Sequence, residues 1–197
     1  MRVLFQGDSI TDAGRERSDP RSLGNGYASL VAQDLIDLEF YNRGVSGNRI
    51  FDLEARWDFE FESIQPDLVT ILIGINDTWR RYDSNLTSDI PEFHSSLDRI
   101  AKKVRGRNSR LILLEPFLLP IPKDRERWRE DLDPRIHTVR QVAREYADAF
   151  IPLDGIFAAA SCRTPMKDLA ADGVHPTPAG HRLIADSLLP AIKQLIS

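Results

Sequence analysis

The sequence predicts an α/β protein with a parallel sheet of about five strands, covered by helices on both faces. Short β-rich runs alternate about five times with longer stretches of helical apolar spacing, a pattern typical of parallel sheets. Residues 68–73 are apolar at almost every position, as expected of a strand buried on both faces. Because no linker, repeat or low-complexity segment divides the chain, we expect one domain over residues 1–197.

The strand candidates are short, and the strongest of them are apolar throughout. In chain order they are residues 3–5, 39–42, 68–73, 111–114 and 150–151. Apolar residues at helical spacing mark helices within residues 27–38, 93–104 and 136–146. These helices provide covering layers for a central sheet.

A last helix has a recognisable start. Thr177 can cap it and Pro178 suits its first turn. Its inner face is supplied by Leu183, Ile184, Leu188 and Ile192. Because a proline inside a helix removes one hydrogen bond, Pro190 is expected to bend or divide this helix.

The composition excludes several classes of protein. The chain has 26 Lys and Arg against 30 Asp and Glu, a net charge of −4, so it carries no electrostatic signature for nucleic acid or anionic membranes. Its longest apolar run is far shorter than a membrane-spanning helix. The single cysteine, Cys162, excludes an internal disulfide and a cysteine-rich metal site. Strand-like residues directly after Met1 leave no room for a signal peptide, which predicts a cytoplasmic protein.

Four polar, glycine-bearing segments come where ligands gather in such folds. Ligands of open α/β sheets bind outside the carboxyl ends of the strands. Three segments follow strands one, two and three, and the fourth precedes the last helix: residues 7–12, 42–48, 74–77 and 172–176. We therefore expect all four to meet at one edge of the sheet.

Together these segments contain the parts of an acyl-transfer site. Ser9 is the candidate nucleophile, and His175 is a base that can take its proton near neutral pH. Asp172, three residues before the histidine, can hold the imidazole and stabilise its charged form. The backbone N–H groups of Ser9 and Gly47 and the side-chain amide of Asn76 are the candidate oxyanion donors.

Each part alone has a structural explanation. Gly-Asp-Ser is a common turn, Gly47 and Asn76 can serve backbone geometry, and Asp172 with His175 can form a loop hydrogen bond. Their joint occurrence at successive junctions favours catalysis. Asp8, Asp12 and Asp77 are too scattered for a metal site, so no metal is expected, and Asp8 is expected to brace the turn that presents Ser9.

These residues resemble the SGNH hydrolase family, also called the GDSL family, whose four blocks are named for Ser, Gly, Asn and His. The matches are Ser9 within Gly-Asp-Ser-Ile, Gly47 within Gly-x-x-Gly-Asn, Asn76 within Gly-x-Asn-Asp, and His175 within Asp-x-x-His. The first block has Ile10 where the family name has leucine. The resemblance implies a flavodoxin-like three-layer sandwich and a serine esterase without a cofactor. The resemblance also implies that the Gly-x-Ser-x-Gly elbow of α/β-hydrolases is missing, and this sequence does not contain it.

Residues flanking the four blocks are similar to those of a bacterial acetyl xylan esterase branch. The flanks include Gly14-Arg15, Asp52-Leu53, Ala55-Arg56-Trp57, Trp79-Arg80 and Tyr82-Asp83. This resemblance implies deacetylation of xylo-oligosaccharides or related sugars inside the cell, often by homo-oligomers. Aromatic rings and guanidinium groups suit a sugar, so Trp79, Arg80 and Tyr82 are substrate-binding candidates. Alternatively, Trp79 and Tyr82 pack under a loop.

Three other functions remain open at the level of sequence. A thioesterase or lysophospholipase would use the same residues on longer acyl chains. A flavodoxin-like module would bind a nucleotide or phosphate at the same strand ends, although both Gly-rich phosphate motifs are missing. A non-catalytic scaffold is disfavoured because no catalytic part has been lost.

Residues 116–135 match no motif. The charged run at residues 124–131 is typical of a solvated loop or a helix start, with a flap over the site or a subunit contact as alternatives. The longer segment is a candidate wall of the acyl or sugar pocket.

Overall fold

A computed structural model describes residues 1–197 and contains the predicted parallel sheet. Its five strands are β1 (Arg2–Gly7), β2 (Glu39–Asn42), β3 (Leu68–Leu72), β4 (Arg110–Leu114) and β5 (Ala149–Ile151). All neighbouring strands run parallel in the order β2-β1-β3-β4-β5, which is the flavodoxin-like order. The fold class predicted from the sequence is confirmed. The strand order reverses between β1 and β3, and the loops after these two strands therefore diverge and leave a crevice.

Side chains of the strands alternate between two hydrophobic layers. On β3, Leu68 and Leu72 belong to one layer, while Val69 and Ile71 belong to the other. The two layers contain 27 and 19 buried residues. This alternation explains why the strand is apolar at consecutive positions, since both faces of the sheet are covered.

Nine α-helices and one 3₁₀ helix surround the sheet. The α-helices are α1 (Ser9–Asp12), α2 (Tyr27–Asp34), α3 (Ile50–Ile64), α4 (Ile75–Asp83), α5 (Ile90–Gly106), α6 (Arg129–Tyr146), α7 (Leu153–Ser161), α8 (Met166–Leu169) and α9 (Pro178–Ile196). The 3₁₀ helix is Lys123–Trp128. Buried side chains of α2, α7 and α9 pack in the first layer, and those of α3 and α5 in the second. None of the helices combines the length and the hydropathy that crossing a membrane requires.

The last helix has the expected cap and is not divided at Pro190. Thr177 caps α9 by accepting a hydrogen bond from the backbone N–H of Gly180 at 3.3 Å. Pro190 does not divide the helix, which continues to Ile196. The helix continues because Leu188 and Ile192, on either side of the proline, are both fully buried, and their packing outweighs the one lost hydrogen bond.

The loop after β2 is docked on the short helix that follows β1. The side chain of Asn42 donates to the carbonyl of Thr11 at 2.7 Å and accepts from the N–H of Gly44 at 2.9 Å. Gly44 lies so close to α1 that an added Cβ would come within 2.3 Å of the backbone nitrogen of Asp12. The two segments are therefore packed directly against each other.

Replacing Gly44 by alanine should destabilise the fold, because the added methyl group meets backbone rather than a flexible side chain. We expect Gly44→Ala to lower the free energy of unfolding by about 1–3 kcal/mol. Gly155→Ala is the matched control, since nothing lies within 4 Å of its added Cβ in α7. That variant should be stabilised by about 0.5–1 kcal/mol. Urea denaturation measures both, and equal effects would contradict the proposed docking.

Candidate active site

The predicted site residues meet at the carboxyl edge of the sheet. Ser9 begins α1, with one residue between it and the end of β1, and Asn76 lies in the first turn of α4, after β3. Gly47 lies in the loop after β2, and the Asp172–His175 turn precedes α9. Since β1 and β3 are neighbours at the point where strand order reverses, Ser9 and Asn76 flank the crevice there.

Ser9, His175 and Asp172 form one chain of hydrogen bonds. Ser9 Oγ lies 3.0 Å from Nε2 of His175, and Nδ1 of the same ring lies 2.8 Å from Oδ2 of Asp172. The other oxygen, Oδ1, accepts from the backbone N–H groups of Val174 and His175 at 3.0 and 2.8 Å. Because the carboxylate only accepts, Nδ1 carries the proton and Nε2 is left to accept from the serine hydroxyl.

The same contacts set the charges of the pair. Burial raises the pKa of Asp172, but hydrogen bonds from the His175 ring and from two backbone N–H groups outweigh it and hold that pKa well below its usual range. The hydrogen bond to Asp172 raises the pKa of His175 above its ordinary 6.5, against the opposing effect of burial. The arrangement therefore favours an ionised carboxylate beside an imidazole that readily takes a proton.

Asn76 is held with one amide hydrogen to spare. Its side chain is buried, and Nδ2 donates to the carbonyl of Asn48 at 3.1 Å. An amide nitrogen carries two hydrogens, so the second is free for a substrate oxygen. Gly47 adopts a φ of +85°, and an added Cβ would find only Nη2 of Arg80 within 4 Å, at 3.9 Å. Glycine thus leaves an open approach beside the backbone at this position.

The side chain of Arg56, which is 18% exposed, joins the end of β1 to the Gly47 loop. Arg56, on α3, donates from Nε to Oδ1 of Asn48 at 2.7 Å and from Nη2 to the carbonyl of Gly7 at 3.0 Å. Its Nη1 donates to Gln6 at 2.7 Å and to Glu60. The guanidinium therefore fixes the distance between the end of β1 and the Gly47 loop.

A second connection runs through Asp12, at the end of α1. Its Oδ2 accepts from the backbone N–H and the hydroxyl of Ser46 at 3.0 and 2.7 Å, and from Arg17 at 2.6 Å. Ser46 precedes Gly47, so this carboxylate ties the helix that begins at Ser9 to the glycine loop. Asp12 thus has a positioning role, and no group of three or more His, Cys, Asp or Glu side chains is arranged to hold a metal ion.

Asp8 is a fully buried carboxyl group directly before Ser9. Its Oδ1 accepts from the backbone N–H of Ile10 at 3.0 Å and so caps α1, whereas Oδ2 has no hydrogen-bond partner. Burial raises the pKa of Asp8 to about 7, with a smaller opposing effect of the Ile10 N–H. The expected bracing of the turn is present, and it places a carboxyl with one unsatisfied oxygen beside the proposed nucleophile.

The three substrate-binding candidates occupy different positions. The ring of Trp79 lies 5.6 Å from that of His175, between centroids, at the mouth of the site. Arg80 forms an ion pair with Asp83 and approaches Gly47 as described above. Tyr82 instead stacks on Trp128 at 5.4 Å and donates its hydroxyl to the carbonyl of Arg127 at 2.8 Å. Tyr82 therefore packs under the 123–128 segment, in agreement with the alternative that this residue packs under a loop.

The unmatched segment backs the catalytic turn. Gly173 adopts a φ of +81°, and an added Cβ would lie 2.2 Å from the carbonyl oxygen of Leu119 and 2.5 Å from that of Ile121. Trp128, inside the charged run, is buried and packs against Trp79 at 5.3 Å. The 123–128 segment is therefore anchored as a wall beside the site, and Arg125 in it contacts Asp172. Sequence reasoning missed Arg125 and Arg56 as site residues, although a tryptophan within a charged run was a signal of burial.

Comparison with known proteins gives consistent results. The model of the GDSL-like lipase/acylhydrolase family matches residues 5–183. The acetylxylan esterase of Geobacillus stearothermophilus is 32% identical over an alignment of 205 positions, which covers 97% of this chain and 93% of that enzyme.

Solved structures agree over nearly the whole chain. A protein of Parabacteroides merdae described as a GDSL-like lipase has a TM-score of 0.92 at 31% identity, covering 98% of this chain and 95% of that one. Axe2, an acetylxylan esterase from Geobacillus stearothermophilus, has a TM-score of 0.88 at 32% identity, covering 97% and 93%. Two further structures of Axe2 are catalytic mutants, one with a serine and one with an aspartate replaced by alanine.

Asp8→Asn should change the pH dependence of stability. Between about pH 4 and pH 7 the folded chain holds a proton on Asp8 that the unfolded chain has lost, so stability from this group falls as pH rises through that window. Asparagine keeps the cap and removes the charge. The free energy of unfolding of the variant, relative to that of wild type, should therefore be higher at about pH 8 than at about pH 5. Urea denaturation at both values measures this gain. The exposed Asp37→Asn is the control, and an equal difference at both values would contradict the assignment.

Proposed function

This chain belongs to the GDSL-like lipase/acylhydrolase family and is a carboxylic ester hydrolase, and we propose that it is a serine esterase that removes acetyl groups from xylo-oligosaccharides or related sugars. The observation that carries the proposal is the hydrogen-bonded chain from Ser9 through His175 to Asp172. The acetylxylan esterase relative and the Axe2 catalytic mutants at a serine and an aspartate support it.

In the first half of the proposed reaction, Ser9 Oγ attacks the carbonyl carbon of the ester while its proton passes to Nε2 of His175. Asp172 holds the imidazole and stabilises its positive charge. The carbonyl oxygen becomes an oxyanion, which the Ser9 and Gly47 N–H groups and the free amide hydrogen of Asn76 stabilise. Collapse of this intermediate breaks the ester bond, and His175 gives its proton to the leaving alcohol.

In the second half, water replaces the alcohol. The water oxygen attacks the acetyl-Ser9 ester while His175 takes a proton from the water. The same donors stabilise the second oxyanion. Collapse returns the proton from His175 to Ser9 Oγ and releases acetate. Neither half requires a metal ion or an organic cofactor to balance charge or protons.

The surroundings of the triad favour a polar alcohol as the leaving group. Trp79 presents an aromatic face beside His175, which receives and returns the proton of the leaving alcohol. Arg80 adds hydrogen-bond donors on the Gly47 side of the site. An aromatic ring and a guanidinium group match the faces and hydroxyl groups of a sugar better than those of a long alkyl chain.

Release of acetate tests the substrate class directly. Wild-type protein and Ser9→Ala are compared on acetylated xylo-oligosaccharide, and on octanoyl and longer esters. The proposal expects fast acetate release that is lost in Ser9→Ala. Faster cleavage of the long esters would move the substrate to lipids or thioesters, and activity that survives in Ser9→Ala would overturn the serine mechanism.

Asn76→Ala should slow turnover without weakening substrate binding, because the amide acts on the oxyanion that forms during the reaction. We expect kcat to fall about 10²–10³-fold with KM nearly unchanged. Steady-state kinetics on the acetylated substrate measure this. Gln194→Ala, an exposed amide on α9, is the control, and an unchanged kcat in Asn76→Ala would remove this residue from the mechanism.

The pH profile of kcat/KM should report His175. Only the neutral imidazole can take the proton of Ser9, so the rate should fall as pH drops through the pKa of His175, with a midpoint above 6.5. His181→Gln should leave the midpoint nearly unchanged, because burial lowers the pKa of His181 to about 4. A midpoint well below 6.5 in the wild type would contradict the proposed pairing with Asp172.

A further inference from the structure

Arg125 joins the 123–128 segment to the acid of the proposed triad. Its Nη1 donates to the main-chain carbonyl of Asp172 and lies 3.7 Å from Oδ2 of the same residue. The carbon Cζ of the guanidinium lies 4.4 Å from the ring centroid of Trp79 and 4.7 Å from that of Trp128. One side chain thus contacts both polar ends of Asp172 and two indole rings.

The position of Arg125 limits what it can do. Its side chain is only 12% exposed, and Asp172 is the one acidic residue within 4 Å of it. Two indole faces cover the guanidinium, so it is not free to reach into solvent for a sugar or an anion. The group therefore acts on Asp172 and the turn around it.

The Asp172 turn depends on contacts from this wall. The carboxylate of Asp172 is already shared between the His175 ring and two backbone N–H groups, while its carbonyl is held by Arg125. On the other side, Gly173 packs directly on the carbonyls of Leu119 and Ile121. The position of the His175 ring relative to Ser9 is therefore set by this packing together with Arg125.

We propose that Arg125 is a positioning residue for ester hydrolysis: it clamps the backbone and carboxylate of Asp172 so that Nε2 of His175 stays within hydrogen-bond distance of Ser9 Oγ. The proposal rests on the proposed serine mechanism. It assigns a role to the charged run, because Arg125 within this run holds the Asp172 turn. Arg125 has no contact with the reacting atoms and acts only through Asp172.

The test compares three replacements of Arg125 with a matched control. Arg125→Gln removes the charge, Arg125→Lys keeps the charge without the planar fork, and Arg125→Ala leaves space for a free guanidinium ion. Arg127→Gln makes the same change of charge two residues away, where the side chain is exposed and lies over Tyr82. Activity is measured on p-nitrophenyl acetate, with Ser9→Ala as the blank.

The positioning role predicts a loss in kcat with little change in KM. A displacement of about 1 Å in a reacting group can cost about 100-fold, so we expect kcat to fall about 10- to 100-fold in Arg125→Gln and nearly as much in Arg125→Lys. Arg127→Gln should retain wild-type kcat. Guanidinium chloride at low concentration should raise the kcat of Arg125→Ala, and sodium chloride of equal ionic strength should not.

A second readout does not depend on activity. The proton on Nδ1 of His175 in its hydrogen bond to Asp172 gives a downfield proton resonance, assigned by its loss in His175→Gln. This resonance should move or broaden in Arg125→Gln and Arg125→Lys, and should stay in place in Arg127→Gln. A purely structural role for Arg125 would lower thermal stability and leave the resonance unchanged in the folded protein.

The outcomes separate the two proposals. Wild-type kcat and an unshifted resonance in folded Arg125→Gln would overturn the role of Arg125 and leave the serine mechanism intact. Full activity in Ser9→Ala, or none in the wild type, would overturn the serine mechanism. In that case the resonance alone still decides whether Arg125 positions the Asp172–His175 pair.

Discussion

The guanidinium of Arg56 is the contact on which the geometry of this site depends most. It is the group that binds both the carbonyl before the Asp8-Ser9 turn and the side chain of Asn48 beside Gly47. Since Asn48 in turn accepts from Asn76, three loops from three different strands are held at fixed separations. A planar fork with five donors can do this at several acceptors at once, whereas a lysine cannot. The partly buried positive charge of Arg56 is stabilised because the carboxylate of Glu60 lies next to it.

Most of the sheet was predictable because its strands carry a strong and simple signal. β3 and β4 are apolar at consecutive positions, and each alternate side chain enters one of two buried layers. The helix α3 was not predicted from the sequence. Its buried stripe includes Trp57 and Phe61, but Phe51 and Phe59 on the same helix are exposed, so apolar residues fall on both faces. Pro190 does not divide α9, because packing on either side outweighs the local effect of the proline.

The candidate site was predictable where its residues carry a local signal, either a position directly after a strand or a short spacing to a partner. Asp172 and His175 are three residues apart, and one tight turn lets a single carboxylate bind both the ring and the backbone of the histidine. Arg125 lies 47 positions from Asp172, and nothing in its immediate sequence indicates that partner. Such residues become visible only when the chain is folded, because their role comes from tertiary contacts. A charged segment of an α/β fold can therefore contain site residues that the local sequence does not indicate.

The proposed nucleophile and its proposed base lie far apart in the sequence. Ser9 and His175 are separated by 166 positions, and α9, which follows the histidine, packs against α2 and β5. During synthesis, a nascent chain that ends before residue 175 carries the serine without its base, whatever has already folded. Under the proposed mechanism, ester hydrolysis therefore begins only after residue 175 has been synthesised and has folded against Ser9. The onset of esterase activity during synthesis would thus report the packing of the Asp172–His175 turn against Ser9.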